Sequence, residues 1–342
     1  MNIKTYLHSD VNSPTTLSEI KRVNEWVRPS TFFGVYAYAT HSGASAFELQ
    51  LGGNFWSATP SKWLFGIDYG RTQPQALKFM CSKANTEVRV VDGAWQVNQK
   101  GFLPRRDFHA KMSITLNEST SRFGMIVGSG NFSSSGLRKN IEAGVALQTD
   151  EREIYRNTIE PTFELTKALW DNATPAYEIL DDYEERWSNS FQRSQQPEYE
   201  EKVDASGDVF WIEAGYVTKN RGLDKPGNQI DLPRGMANNF GFSPPDDLDA
   251  NSTIGEVTFE TPTGDLVSRN LRLGNNMMEK ITLPIPEAHG FDIYDGKILV
   301  FQKTGDKFLM RALEGDDFET AFGDRLFNVK AMGSGRRYGF IS

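Results

Sequence analysis

The chain predicts two domains of different class: an α/β layered domain over roughly residues 1–175 and a mainly β domain over 205–342. Three observations carry this. Short apolar runs rich in β-branched and aromatic residues alternate with helical ones from residue 31 to 147, the pattern of a layered α/β domain. A polar, acidic stretch then interrupts the apolar texture, with Asp181, Asp182, Glu184 and Glu185 close together, and reads as a helical linker over 176–204. Beyond residue 205 no long helical period recurs.

Taken in order, the apolar runs of the first part are 32–38, 44–51, 62–67, 74–81, 88–91, 109–116, 123–127 and 141–147. Residues 151–170 then place Ile154, Ile159, Phe163, Leu165, Leu169 and Trp170 at helical spacing, which predicts one long amphipathic helix. In the second part, strands are predicted at 210–212, 255–259, 266–273, 297–301 and 307–311, separated by Gly, Pro, Asn and Asp. The last two flank Thr304, Gly305 and Asp306, a tight hairpin signal. A compact β-barrel or sandwich is the expected result.

Composition bounds the class. At 342 residues each half can bury a core of its own. No run of eighteen apolar residues occurs and the N-terminus lacks a signal-peptide core, so the expectation is a soluble, cytoplasmic protein. Cys81 is the single cysteine, which excludes a disulfide within the chain. The net charge of −8 runs against the usual footprint of nucleic-acid binding, so any such contact requires locally concentrated lysines and arginines.

The residues that carry chemistry are His109 and Lys111, then Gly128-Ser129-Gly130-Asn131, then Glu142. An imidazole can attack phosphorus or protonate a leaving oxygen. A lysine and an asparagine can hold a phosphate and neutralise the charge that develops on it, with no metal ion. His109 and Lys111 are two apart on a predicted strand and should share a face, as should Ser129 and Asn131. Glu142 could hold an imidazole in one tautomer. Apart, H-x-K and a Gly-Ser-Asn cluster are weak signals; together and in order they point to phosphodiester chemistry. Glu19-Ile-Lys21 and Glu200-Glu201-Lys202 match a fragment of metal-dependent nucleases but lack its context, and no Cys/His cluster offers a zinc site.

In these residues the chain resembles the phospholipase D superfamily, and more narrowly the metal-independent restriction endonucleases of the BfiI and NgoFVII type. It departs from the superfamily pattern at Leu116, where an aspartate is usual, and in a longer stretch up to Gly128. The resemblance implies a phospholipase-D-like nuclease domain followed by a B3-like, pseudobarrel DNA-recognition domain. It implies a catalytic set of His109, Lys111, Ser129, Asn131 and Glu142, with no cofactor and no metal. Superfamily active sites use two H-x-K motifs, and here His8, His41 and His289 lack the lysine. The resemblance therefore implies a homodimer with one composite site on its twofold axis. Double-stranded DNA is the implied partner, gripped by two arms.

Two polar stretches are candidates for those arms. One carries Lys219, Asn220, Arg221 and Lys225; the other is a loop expected over 269–280, with Arg272, Asn275, Asn276 and Lys280. Arg and Lys can read guanine and Asn adenine in a major groove, although such residues in β-protein loops are commonly turn formers. Arg336 and Arg337 could touch phosphate or be solvated. Three other readings stay open. The chain could be the nuclease subunit of an ATP-dependent assembly, with a separate helicase-like ATPase, since it has no phosphate-binding loop of its own. It could be a phosphodiesterase acting on lipid head groups, or a DNA-binding protein without activity.

Overall fold

In the computed structural model the chain divides into two units, Met1–Phe191 and Gln192–Ser342. The described residues are 1–191, 198–199, 207–215, 217–218, 220–222, 225–245, 247–274, 278–332 and 336–342.

The first unit runs β1 (Asn2–His8), α1 (Thr16–Val27), β2 (Thr31–Tyr36), α2 (His41–Leu51), α3 (Asn54–Ala58), β3 (Ser61–Phe65), α4 (Pro74–Cys81), β4 (Thr86–Val90), α5 (Gly93–Gln96), β5 (Lys111–Asn117), β6 (Arg122–Gly128), β7 (Glu142–Thr149), α6 (Arg152–Thr158), α7 (Glu160–Asn172), β8 (Thr174–Pro175) and α8 (Ala176–Phe191). Its strands form one eight-stranded sheet in the order β1-β7-β6-β5-β2-β3-β4-β8. β2, β3 and β4 are parallel, as helical crossovers require, while β5, β6, β7 and β1 meander antiparallel.

β2 shows why this is a three-layer domain. Phe32 and Tyr36 join the core under α1, α2, α4 and α8, whereas Phe33 and Val35 join the core under α6 and α7. Alternate side chains serve opposite faces, and because both faces are covered the strand reads as a continuous apolar run. α1 starts where Thr15 and Ser18 close a reciprocal capping box, at 3.0 and 2.9 Å.

Two expectations need correction here, and one strand was not expected. The helix expected over 151–170 is two helices, broken at Ile159, because Pro161 has no N–H to continue the first one. Residues 176–191 are not linker: they form α8, which buries Ala176, Ile179 and Tyr183 in the first unit's core. The N-terminal strand β1, unpredicted, pairs along its whole length with β7.

The second unit is β9 (Glu198–Tyr199), β10 (Val209–Glu213), β11 (Gln229–Leu232), β12 (Thr253–Glu260), β13 (Leu266–Leu273), β14 (Glu279–Thr282), β15 (Ile298–Thr304), β16 (Lys307–Leu313), α9 (Gly315–Phe322), β17 (Leu326–Ala331) and β18 (Arg337–Ile341). Its ten-stranded sheet has the order β11-β14-β13-β12-β16-β15-β10-β18-β17-β9. The predicted β15–β16 hairpin is present, with Thr304 opposite Lys307. β10 splits its residues between two cores: Phe210 and Ile212 on one face, Trp211 against Phe318 of α9 on the other, rings 4.9 Å apart.

At the heart of the first unit Phe47 is fully buried among Phe32, Phe55, Trp56, Trp63 and Phe132, with ring centroids 5.1–5.8 Å away. Replacing Phe47 by Ala should destabilise this unit by about 3–5 kcal/mol. Urea unfolding followed by near-UV circular dichroism would show it as a lower midpoint.

Candidate active site

The antiparallel half of the first sheet assembles the site by register. Lys111 lies opposite Tyr36 on β2. Met112 pairs with Val127, so one step further Lys111 comes abreast of Gly128. Gly128 pairs with Gly144, and Gly144 with Tyr6 on β1. One row of the sheet therefore reads Tyr36, Lys111, Gly128, Gly144, Tyr6, all on one face. The two glycines leave the floor between Lys111 and Tyr6 without side chains. The phenol of Tyr6 fills part of that space, since a Cβ on Gly128 would stand 2.9 Å from its hydroxyl. The next row on this face pairs Glu142 with His8.

Ser129 closes the group. Its hydroxyl donates to Glu142 Oε2 and accepts the Ala143 N–H at 3.1 Å, so the carboxylate and the hydroxyl act as one unit. Glu142 also acts on Lys111. Burial lowers the Lys111 pKa below the ordinary lysine value, and the negative charge of Glu142 partly opposes that shift. Tyr6 is pushed the other way, chiefly by burial, offset by its hydrogen bond to Thr16 and reinforced by the charges of Glu19 and Glu142.

Asn131 is set by backbone rather than by side chains. Phe132 donates its N–H to Tyr38 O at 3.1 Å, and Thr40 donates to Phe132 O at 3.0 Å. The stretch 36–40 is thus a common template, holding Lys111 at one residue and the Asn131–Phe132 segment at others. Gly130 and Gly136 allow the fit. A Cβ on Gly136 would lie 2.7 Å from both the N and the O of Asn131, and one on Gly130 would run into the Gly136 carbonyl. The side-chain Oδ1 of Asn131 is buried with no hydrogen-bond partner.

His109 is exposed and lies just before β5, not within it; the strand expected over 109–116 begins at Lys111. The two residues still meet, because Lys111 Nζ donates to the His109 carbonyl at 2.8 Å. The structure thus gathers Lys111, Ser129 and Glu142 directly, with His109 attached through Lys111 and Asn131 through the 36–40 template. Among the other histidines, His8 binds Asn140 O through Nδ1 at 2.8 Å, beside Glu142. His41 is buried at the start of α2, where desolvation pushes its pKa down to about 4. His289 sits in the second unit with Asp265, at 3.1 Å. Glu19, of the E-x-K match, is buried under Lys4 and Arg22 at 2.6 and 2.7 Å and serves the fold. Among the described residues no group of three or more His, Cys, Asp or Glu is placed to hold a metal ion, and no helix is long and apolar enough to cross a membrane.

Sequence reasoning missed Tyr6 and Asp68, and named His8 only as a histidine without the lysine. The alternation in Asn2–His8 is a weak strand signal that places Tyr6 and His8 on one face. Asp68 accepts the Phe108 N–H from 40 residues away, which no local pattern reveals.

In the second unit the candidate DNA contacts divide. Lys219, Asn275 and Asn276 lie outside the described residues. Arg221 forks onto Glu287 at 2.9 and 2.6 Å and holds that carboxyl below its ordinary pKa. Asn220 accepts the Asn228 N–H at 3.3 Å, a local turn contact, and the Lys225 N–H reaches Gly222 O at 3.4 Å. Most of the stretch expected as a loop over 269–280 is strand: Arg272 on β13 pairs with Lys280 on β14. Lys280 contacts Asp231 at 3.2 Å and Arg272 contacts Gln229 at 3.4 Å. Arg336 and Arg337 are neither solvated nor free for phosphate. Arg336 donates to the carbonyls of Glu213 and Asp231, with burial lowering its pKa to about 10, and Arg337 is paired with the Glu213 carboxylate.

No family model and no curated protein matches the chain. Solved structures do. NucT from Helicobacter pylori is similar at 15% identity and TM-score 0.34, covering 51% of this chain and 99% of that one. A phospholipase D family member, Nuc from Salmonella typhimurium, is similar at 13% identity and TM-score 0.35, covering 51% and 97%. Yeast tyrosyl-DNA phosphodiesterase is similar at 13% identity and TM-score 0.27, covering 43% and 32%. Likeness at these TM-scores assigns no activity, and the chemistry has to come from the residues themselves.

Replacing Gly130 by Ala should force the Asn131 segment away from Gly136 and destabilise the first unit by about 1–3 kcal/mol. A lower thermal midpoint together with a shifted side-chain amide signal of Asn131 in an NMR spectrum would check both effects.

Proposed function

We propose that this chain is a metal-independent endodeoxyribonuclease, a restriction enzyme of the BfiI and NgoFVII type, acting as a homodimer. The observation that carries this reading is the grouping of Lys111, Ser129 and Glu142 at one end of strands β5, β6 and β7, with His109 tied to Lys111 through its carbonyl. A lysine whose charge survives partial burial beside a carboxylate suits an anionic substrate, and a phosphate is the anion that an exposed imidazole nucleophile would attack.

One His109 attacks phosphorus, a P–N bond forms, and the P–O bond to the leaving oxygen breaks. The leaving oxygen needs a proton from a second imidazole. In the superfamily that the chain resembles the second imidazole comes with its own lysine, which His8, His41 and His289 lack. In this reading it is the partner's His109, brought in by twofold symmetry. Water then cleaves the P–N bond, giving its proton to the partner's His109, now basic, and the enzyme is restored. Lys111 and Asn131 of both chains hold the phosphate oxygens, while Glu142 keeps Ser129 and Lys111 in place. The second unit, as a B3-like pseudobarrel, reads the DNA. Arg221 and Lys280 already hold carboxylates, so their phosphate or base contacts would form by exchange. Binding by a chain of net charge −8 should weaken steeply with salt.

Purified chain should nick supercoiled plasmid at low salt in excess EDTA, and the His109→Ala variant should not. Cleavage only after adding Mg²⁺ would sink the mechanism. DNA binding without cleavage by the wild type would move the reading to the nuclease subunit of an ATP-dependent assembly.

The two His109 imidazoles must hold opposite protonation states, so the pH–rate profile should be bell-shaped and report on the pair. Lys111 should lose its proton below the ordinary lysine range, which the pH dependence of its side-chain NMR shifts would follow. The Glu142→Gln variant removes the charge that holds the Lys111 pKa up, so that titration should move to still lower pH. A titration that stays put, or moves up, would contradict the coupling.

A further inference from the structure

His109 stands outside the ladder of β5, so strand hydrogen bonds do not fix its backbone. Its position is set from the turn after β3. Phe108, the preceding residue, donates its N–H to Asp68 Oδ2 at 2.7 Å. Asp107, one further back, accepts the Tyr69 hydroxyl at 2.8 Å. The other oxygen of Asp68 accepts Gln96 Nε2 at 2.9 Å, and the same nitrogen donates to Phe102 O at 3.1 Å. A single carboxylate thus joins the turn, α5 and the N–H beside His109.

Two features are hard to explain by stability alone. Asp68 is 7% exposed and, among the described residues, no cation lies within ion-pair distance of it. A buried carboxylate held only by N–H donors is an unfavourable way to join three segments, where an apolar contact would serve. Tyr69 adopts φ +57°, the left-handed region that disfavours a side chain as large as tyrosine, yet its ring is 44% exposed and contributes little to the core. Glycine or asparagine would make that turn with less strain. What tyrosine adds is a hydroxyl that reaches Asp107, and a ring face 5.8 Å from the Arg71 guanidinium.

We propose that Asp68 and Tyr69 form a clamp that positions His109, with Asp68 acting on the backbone beside it and Tyr69 on the residue before that. The proposal rests on the reading of His109 as nucleophile. It gives this turn a role in aligning the imidazole with phosphorus before substrate arrives. Misplacement of a reacting group by about 1 Å can cost on the order of 100-fold in rate, so a clamp on the adjacent peptide matters even though neither residue touches the phosphate.

The test uses the full-length chain and the variants Asp68→Ala, Asp68→Asn and Tyr69→Phe. Single-turnover plasmid cleavage should fall about 100-fold in Asp68→Ala, with DNA affinity unchanged. Asp68→Asn keeps an oxygen for the Phe108 N–H and should recover most of the rate. Tyr69→Phe, an exposed and conservative change that threatens folding least, should lower the rate several-fold, again without loss of affinity. Loss of affinity in step with rate, or full activity in both Asp68→Ala and Tyr69→Phe, would overturn the clamp. A second readout separates its failure from that of the nuclease reading. In DNA-free protein the His109 imidazole ¹H–¹⁵N signals should broaden or shift in Asp68→Ala and Tyr69→Phe, whether or not the wild type cleaves DNA. Signals identical to wild type in both variants would also overturn it.

Discussion

The antiparallel register of β5, β6, β7 and β1 is the constraint on which the site depends. Side-chain direction in a strand has period two, so a slip of one residue in any of these pairings would turn a site residue to the opposite face. With Met112 against Val127, Gly128 against Gly144 and Glu142 against His8, the polar groups face one way and Ile114 and Met125 pack under α6 and α7. The cores on the two faces lock that register. A strand that offers aromatic residues to both sides, as β2 does, cannot slip without exposing them, and β2 in turn holds β5. The polar group at the strand ends is thus specified by packing well away from it.

Much of this was legible in the residues. Both H-x-K and the Gly-Ser-Gly-Asn run lie at the ends of apolar runs, where strands open onto loops at one end of the sheet, and the order of runs points to the layered class. What escaped did so for physical reasons. β1 is half exposed, with Ile3 and Leu7 more than half open, so its alternation was too polar to stand out. The period over 151–170 persists across the break at Ile159 because α6 and α7 contribute to one core; Pro161 was the signal that a break was needed. In the second unit the strand predicted over 266–273 is β13, and its pairing with β12 and β14 puts Arg269 and Arg272 in the sheet rather than in a DNA-facing loop. Arg336 and Arg337 read as a basic pair that could touch phosphate or be solvated, because sequence cannot show that the Glu213 carboxylate and two carbonyls engage them. The Asp68 contact to Phe108 is purely tertiary.

The acidic balance of the chain has a local explanation. Arg221, Lys280, Arg337, Lys4 and Arg22 each hold a carboxylate, so formal charge and available charge differ. These pairs are part-buried, with the Glu19 side chain 3% exposed and that of Arg337 13% exposed. A cation held in this way is less available to any outside anion than a solvated one, because it must first leave its carboxylate. Lys111 is different. It is half buried, its amine is turned to the His109 carbonyl, and Glu142 supports its charge from the same face without neutralising the site's exposed edge.

The sign of the Lys111 shift places it among groups held against the interest of folding. Burial lowers its pKa, so the unfolded chain binds this proton more firmly than the folded one. The resulting penalty on stability is present at neutral pH and is relieved only as pH rises through the lowered pKa. A lysine kept for the fold would show the opposite sign, with a partner raising its pKa. The neighbours repeat the pattern: Asn131 keeps a buried Oδ1 without a partner, and Tyr69 is held in a strained conformation beside the histidine segment. Departures from local stability that gather at one end of the strands β3, β5 and β6 mark where the molecule trades folding free energy for a prearranged set of polar groups.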